Sequence, residues 1–312
     1  MTRTLQYRIL ATLGALAAAT LLLSGCTHAA APTGGQAAAG PSGATAPATT
    51  PPATAATTAA PKPAKRQLET MTLPPPITTI AQPTKGRTIA GPRTMPVPML
   101  MYHAIDTAPA NAPYPDLYVT PKQFAAQLNY LTTHGYHAVT MQQVYDFWNG
   151  KGTLPSKPVV LTFDDGFAGD FTYATPLLKS VNWPATLFLI VGTKKPRMPA
   201  SMVRAMIGAG WELGSHTIHH LELPSESFEG MMNDVSGSRV ILRKRYGVPV
   251  NFFCYPAGKY NAATIADVQQ AGYLLATTTH PGVARPSEPY ALHRIRVSGS
   301  QSLASFAALL GK

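Results

Sequence analysis

Val159-Val160-Leu161-Thr162-Phe163-Asp164-Asp165-Gly166 is an apolar run that ends abruptly in two carboxylates and a glycine. Its length and its β-branched and aromatic content predict a strand over Val159–Phe163 that is buried on both faces. Gly166 permits a sharp exit from that strand. Asp-Asp-Gly is also ordinary turn chemistry. Adjacent carboxylates repel, however, and the repulsion raises the pKa of one of them unless a cation shares the site.

Outward from this stretch the same grammar repeats. Val97–Tyr102, Thr186–Val191, Trp211–Leu213, Phe252–Tyr255 and Leu292–Val297 read as further strands. Between them lie helical patterns. Thr120-Pro121 supplies an N-cap with proline at the first helical position, and Gln123 completes a near capping box. Phe124, Leu128 and Leu131 then give one apolar face, and Gly135 ends the helix. Met198–Gly210, Ala262–Gly272 and a segment from Ser302 read as helices. So does Ser227–Tyr246, with Phe228, Met232, Val235, Leu242 and Tyr246 expected on its packed side. Apolar strands separated by amphipathic helices predict a parallel α/β sheet. About seven such units suit a closed or nearly closed barrel. The alternative is a doubly wound open sheet, although no Gly-rich phosphate loop follows the first strand.

The chain has 312 residues, 45% hydrophobic and 12% charged, with a net charge of +11. Residues 97–312 account for only +4 of it, whereas a nucleic-acid binder should concentrate basic charge on its folded domain. After residue 23 no apolar run approaches the ~20 residues of a spanning helix. Met1–Arg8 is basic, Ile9–Leu23 is apolar, and Leu23-Ser24-Gly25-Cys26 follows. That order reads as a signal peptide over 1–25. Leu-Ser-Gly-Cys resembles the lipobox of bacterial lipoproteins, which implies a membrane anchor through a lipidated Cys26. An ordinary secretory signal or an uncleaved anchor helix is the alternative. Two cysteines, Cys26 and Cys254, make no disulfide framework. Residues 26–95 are Ala/Thr/Pro-rich and read as a disordered tether, and 96–312 as the folded domain. The expected location is the cell envelope, on the extracytoplasmic side. With Thr27 after the cysteine, that means the outer membrane in a Gram-negative host.

Gly214-Ser215-His216-Thr217-Ile218-His219-His220 supplies a place for a cation. His216 and His220 are four apart, so one helical turn would put both imidazoles on one face. Two histidines and one carboxylate form a usual catalytic metal set that leaves a position open for water. His219 is expected to point elsewhere.

Thr-Phe-Asp-Asp-Gly followed some fifty residues later by His-Thr-x-x-His resembles the polysaccharide deacetylases of carbohydrate esterase family 4. Phe253-Cys254-Tyr255-Pro256-Ala257-Gly258 is similar to their third motif. The opening Pro98–His103 and the closing Leu292–Val297 resemble the branch acting on poly-N-acetylglucosamine. The resemblance covers roughly 97–300 and implies a distorted (β/α)7 barrel. It implies that Asp165, His216 and His220 hold a divalent metal, zinc by expectation. Metal-bound water would attack the N-acetyl group with Asp164 as general base, and the Ala257 amide would help to bind the oxyanion. The partner is a polysaccharide substrate, and the chain is expected to act as a monomer.

Three departures from the family pattern stand out. Cys254 occupies a position where many members carry the arginine that orients the base, which Arg294 or Arg296 could replace. The Asp-rich fourth motif is missing from Gly272–Gly282. The Leu-x-His that carries the general acid appears only as Leu292-His293, so His293 and His103 compete for that role. Two other functions remain open on these residues: a glycan-binding lipoprotein with weak turnover, and an O-acetyl esterase acting on xylan or another glycan.

Overall fold

A computed structural model describes residues 88–89, 91–192 and 198–311. The signal peptide, Cys26 and most of the tether expected from the sequence lie outside the described residues. Seven parallel strands form the centre: β1 (Met99–Tyr102), β2 (Pro158–Asp165), β3 (Thr186–Leu189), β4 (Glu212–Ser215), β5 (Phe252–Cys254), β6 (Leu275–Pro281) and β7 (Leu292–Arg296). Their order is β1-β7-β6-β5-β4-β3-β2, and β2 pairs back onto β1 through Met99↔Val160 to Tyr102↔Phe163. That last pairing closes the sheet into a distorted (β/α)7 barrel and excludes the doubly wound alternative. The distortion is local. β4 meets β5 only at Ser215↔Phe253, and the β6–β7 register shifts between Thr277 and Pro281.

The helices are α1 (Pro121–Thr133), α2 (Met141–Trp148), α3 (Thr175–Ser180), α4 (Ala200–Gly208), α5 (Phe228–Tyr246), α6 (Ala262–Gln270) and α7 (Leu303–Leu310). The α1 start is as expected: Thr120 and Gln123 form a reciprocal capping box. On α5 Val235 and Leu242 are buried and Tyr246 packs against the core as expected, joined by Met231, Asp234 and Ser238, while Phe228 is 65% exposed. Phe228 is the first residue of the helix, so its side chain falls beyond the sheet that the later turns cover.

Strand alternation divides the core in two. Leu100, Tyr102, Leu161, Phe163, Leu187, Phe253 and Ile295 face the helices, whereas Met99, Val160, Phe188, Phe252, Cys254 and Leu292 fill the barrel. Met141, Val144, Phe147 and Trp148 of α2 share the interior cluster, so α2 stoppers the N-terminal mouth. Glu212 fixes it there by accepting from the Met141 and Gln142 amides at 3.0 and 3.1 Å, which satisfies donors that open every helix. With one mouth plugged, chemistry is confined to the C-terminal rim.

The folded unit also begins earlier than the boundary expected at residue 95. Thr88–Ile89 pairs antiparallel with Leu154–Pro155, and Arg93 Nη1 donates to Phe147 O and Gly152 O at 2.9 and 2.8 Å. Trp148 Nε1 donates to Met95 O at 2.9 Å. The composition of that segment reads as tether, but Arg93 beside two backbone carbonyls gains hydrogen bonds by docking.

Candidate active site

β2 delivers its two carboxylates to one cleft, although strand alternation alone would send them to opposite faces. Asp164 follows Val160 and Thr162 into the barrel. Asp165 has φ 74°, a left-handed conformation that aspartate tolerates, and it turns back toward the same cleft. The cleft has a volume of about 750 Å³ and is lined by His103, Asp164, Asp165, His216, His220 and Ala257, among others.

The two histidines arrive differently from the expected helical turn. Residues 216–220 form an irregular loop in which Thr217 and His220 have φ of 66° and 59°. Val191 N donates to Thr217 O and Gly192 N to Ile218 O, which lashes the loop to the end of β3. A Cβ at position 192 would collide with Ile218, so this close approach requires glycine. The rings meet edge-on, 4.7 Å apart between centroids. His216 Nε2 lies 3.4 Å and His220 Nε2 3.7 Å from Asp165 Oδ1. His216 Nδ1 bonds Cys254 O at 2.8 Å, which assigns a proton to Nδ1 and turns Nε2 toward the cleft. One carboxylate oxygen and two imidazole nitrogens lie within 4.8 Å of one another, a donor set that fits a divalent ion. Burial opposes charge on His216. The Cys254 sulfur and the Asp165 and Asp164 carboxylates outweigh it and raise the ring well above its usual range.

Asp164 is 2% exposed and sits against Arg294, which is fully buried. Nη1 donates to Oδ1 at 2.8 Å and Nη2 to Oδ2 at 2.7 Å, a bidentate pair. Burial favours the neutral acid, but Arg294 overrides it and holds the carboxyl below its ordinary value. Arg294 also donates to Thr162 Oγ1, Thr278 O and Cys254 Sγ. Of the two arginines named from the sequence, Arg294 therefore contacts Asp164, while Arg296 lies exposed at the cleft's rim.

His103 and His293 separate as clearly. His293 points away on the opposite face of β7 from Arg294, against Glu288 at 3.6 Å and Pro281 O at 3.2 Å, and does not line the cleft. The expectation that it carries the acid is corrected by that alternation. His103 Nε2 is 4.0 Å from Asp164 Oδ2, and burial pushes the ring down to about 4 despite the nearby carboxylates. Ala257 has φ 51° and lies in a tight turn over Pro256–Gly258 at the cleft edge.

Two buried aspartates escaped the sequence reading. Asp170 Oδ1 accepts from the Ile105 amide at 3.2 Å, two residues past His103, and burial raises its carboxyl well above the usual range. Asp234, on α5, accepts from His219 Nδ1 at 2.6 Å and from His219 N at 3.2 Å, bracing the loop beside His220. Both lie far from their partners in sequence, so spacing carried no signal. A helix face interrupted by aspartate was the available hint for Asp234.

The family profile described as polysaccharide deacetylase matches residues 151–276. The Bacillus subtilis (strain 168) protein YxkH, named for the same family, is 31% identical over 218 residues, 69% of this chain and 76% of that one. The poly-beta-1,6-N-acetyl-D-glucosamine N-deacetylase of Escherichia coli K12 is 26% identical over 227 residues, 58% of this chain and 34% of that longer protein. Among solved structures, the Streptococcus pyogenes deacetylase PplD in complex with acetate superposes with a TM-score of 0.64. It is 27% identical and covers 70% of this chain and 99% of its own.

Proposed function

We propose, for a chain that belongs to the polysaccharide deacetylase family, that it hydrolyses N-acetyl groups from N-acetylglucosamine units of an extracytoplasmic polysaccharide. The observation that carries this reading is the convergence of Asp165, His216 and His220 beside an arginine-held Asp164 in one cleft. The similarity to enzymes named as poly-N-acetylglucosamine deacetylases supports the choice of sugar.

Asp165, His216 and His220 would hold a divalent ion, with zinc suited to two imidazoles and a carboxylate, and when bound it would acidify water and polarise the acetyl carbonyl. Asp164 accepts the proton of the attacking water. It can do so at neutral pH because Arg294 keeps it ionised and fixes the direction of its oxygens. The water oxygen bonds the acetyl carbon, the carbon–nitrogen bond breaks, and the amine takes up a proton. His103 is neutral as it stands, so it must first receive the proton, and Asp164 Oδ2 lies 4.0 Å from its Nε2. The Ala257 amide is the candidate donor to the developing oxyanion. We further propose that the chain works as a monomer, held outside the cytoplasm by a lipidated Cys26 and the tether that follows it.

Chelator-stripped protein is expected to release no acetate from β-1,6-linked N-acetylglucosamine oligomers and to recover activity on addition of zinc. Metal-independent release, or none on any acetylated glycan, would overturn the reading. Faster release from O-acetylated xylan in the same assay would favour the esterase alternative.

A further inference from the structure

Trp183 and Tyr255, aromatics beside strand ends, are both buried, at 5% and 0% exposure, and present no open ring to a ligand. Tyr255 spends its hydroxyl on Tyr290 O and its ring on Tyr260. The cleft has another aromatic. Tyr114 lines it and is 70% exposed, the largest exposure among the big apolar side chains described. It belongs to a wall with Pro113, Leu117, Tyr118 and Phe167, in which Tyr118 and Phe167 pack edge to face at 5.8 Å. Thr279 and Arg296 also line the cleft and bring it polar groups.

The backbone beneath Tyr114 is stiffened. It stands between Pro113 and Pro115, and a following proline keeps it out of the helical region, in agreement with its φ −134° and ψ 74°. Leu117 N donates to Tyr114 O at 3.1 Å and closes a short turn. That turn is braced from the far end of the chain: Gly299 N donates to Asp116 O at 3.0 Å, and Gln123 Nε2 holds Gly299 O at 2.8 Å. An exposed ring on a braced backbone loses little freedom when a ligand covers it.

We propose that Tyr114 is a specificity-determining platform that stacks against the apolar face of a pyranose next to the acetylated unit. The inference rests on the deacetylase reading and deepens it, because it makes the preferred substrate an oligomer. A cleft of about 750 Å³ falls in the ~300–1,000 Å³ range that encloses whole ligands, far more than one acetamido group needs. Sugars carry C–H bonds on one face and hydroxyls at the edge, which suits an aromatic wall in a cleft that also holds Thr279 and Arg296.

The test compares the wild-type chain with Tyr114→Ala and Tyr114→Phe on two substrates, a β-1,6-linked N-acetylglucosamine pentamer and 4-nitrophenyl acetate, which offers an acetyl group without a sugar. In Tyr114→Ala, KM for the pentamer should rise about tenfold, with the loss confined to KM rather than kcat. The ratio of pentamer to 4-nitrophenyl acetate kcat/KM should fall by the same factor, and Tyr114→Phe should restore it. An active enzyme whose pentamer KM stays within about twofold in Tyr114→Ala overturns the platform and leaves the deacetylase reading standing. Equal losses on both substrates also overturn it. A wild-type chain that releases acetate from no glycan ends the reading, and the platform with it.

Discussion

Arg294→Met should cost about 3–5 kcal/mol of stability and nearly all activity. The guanidinium and Asp164 are both buried, and removing one partner leaves the other without compensation. In wild type the Asp164 carboxyl is held below its ordinary value, so its contribution to stability is present above the unfolded pKa and lost only as pH falls through the lower folded one. Without Arg294 the sign reverses. Burial then outweighs the remaining pull of His103 and His216 and pushes the carboxyl up, so the acid limb of any residual pH–rate profile moves to higher pH. Urea unfolding and acetate release across pH check both parts. A variant as stable as wild type with an unmoved acid limb would show that the pair does not hold the base.

Asp164→Asn should lower kcat by about two to four orders of magnitude, the usual contribution of a general base. Asparagine keeps an acceptor for Arg294 but strands a buried positive charge, so this variant too should lose stability. The double variant Asp164→Asn/Arg294→Met removes both charges. It should therefore unfold closer to wild type than either single variant while remaining inactive, a coupling that a double-mutant cycle measures directly. Recovery of activity in the double variant, or additive losses of stability, would contradict the assigned roles.

These roles mark where sequence reading stopped. Six of the seven barrel strands were legible because each is a short apolar run, and the α1 start because Thr120 and Gln123 carry its capping chemistry locally. β6 was not legible. Leu275–Pro281 is mostly threonine and alanine and reads as polar, yet Ala276, Thr277 and Thr278 are fully buried because neighbouring strands cover them. α2 is short and has no run of its own, and it is held by Glu212 from seventy residues away. At the site, motif spacing identified Asp165, His216 and His220 as a group but assigned the histidines to a helical turn. The structure uses positive φ at Thr217 and His220 instead, which no periodicity reveals. Choosing between Arg294 and Arg296, or His103 and His293, required knowing where β7 ends and which face looks inward. Arg294 Nη2 lies 3.2 Å from the Cys254 sulfur, so the guanidinium reaches the barrel interior beside that short side chain, a contact between β5 and β7 that no local motif reveals.

The proposed chemistry requires one ion held by three side chains, with Asp164 left free of it. Anomalous diffraction at the zinc edge, from crystals of the chain grown with zinc, tests this directly. The expected map shows a single strong peak in the cleft within bonding distance of Asp165, His216 Nε2 and His220 Nε2. A peak held instead by Asp164 and Cys254, or no peak in the cleft, would contradict it.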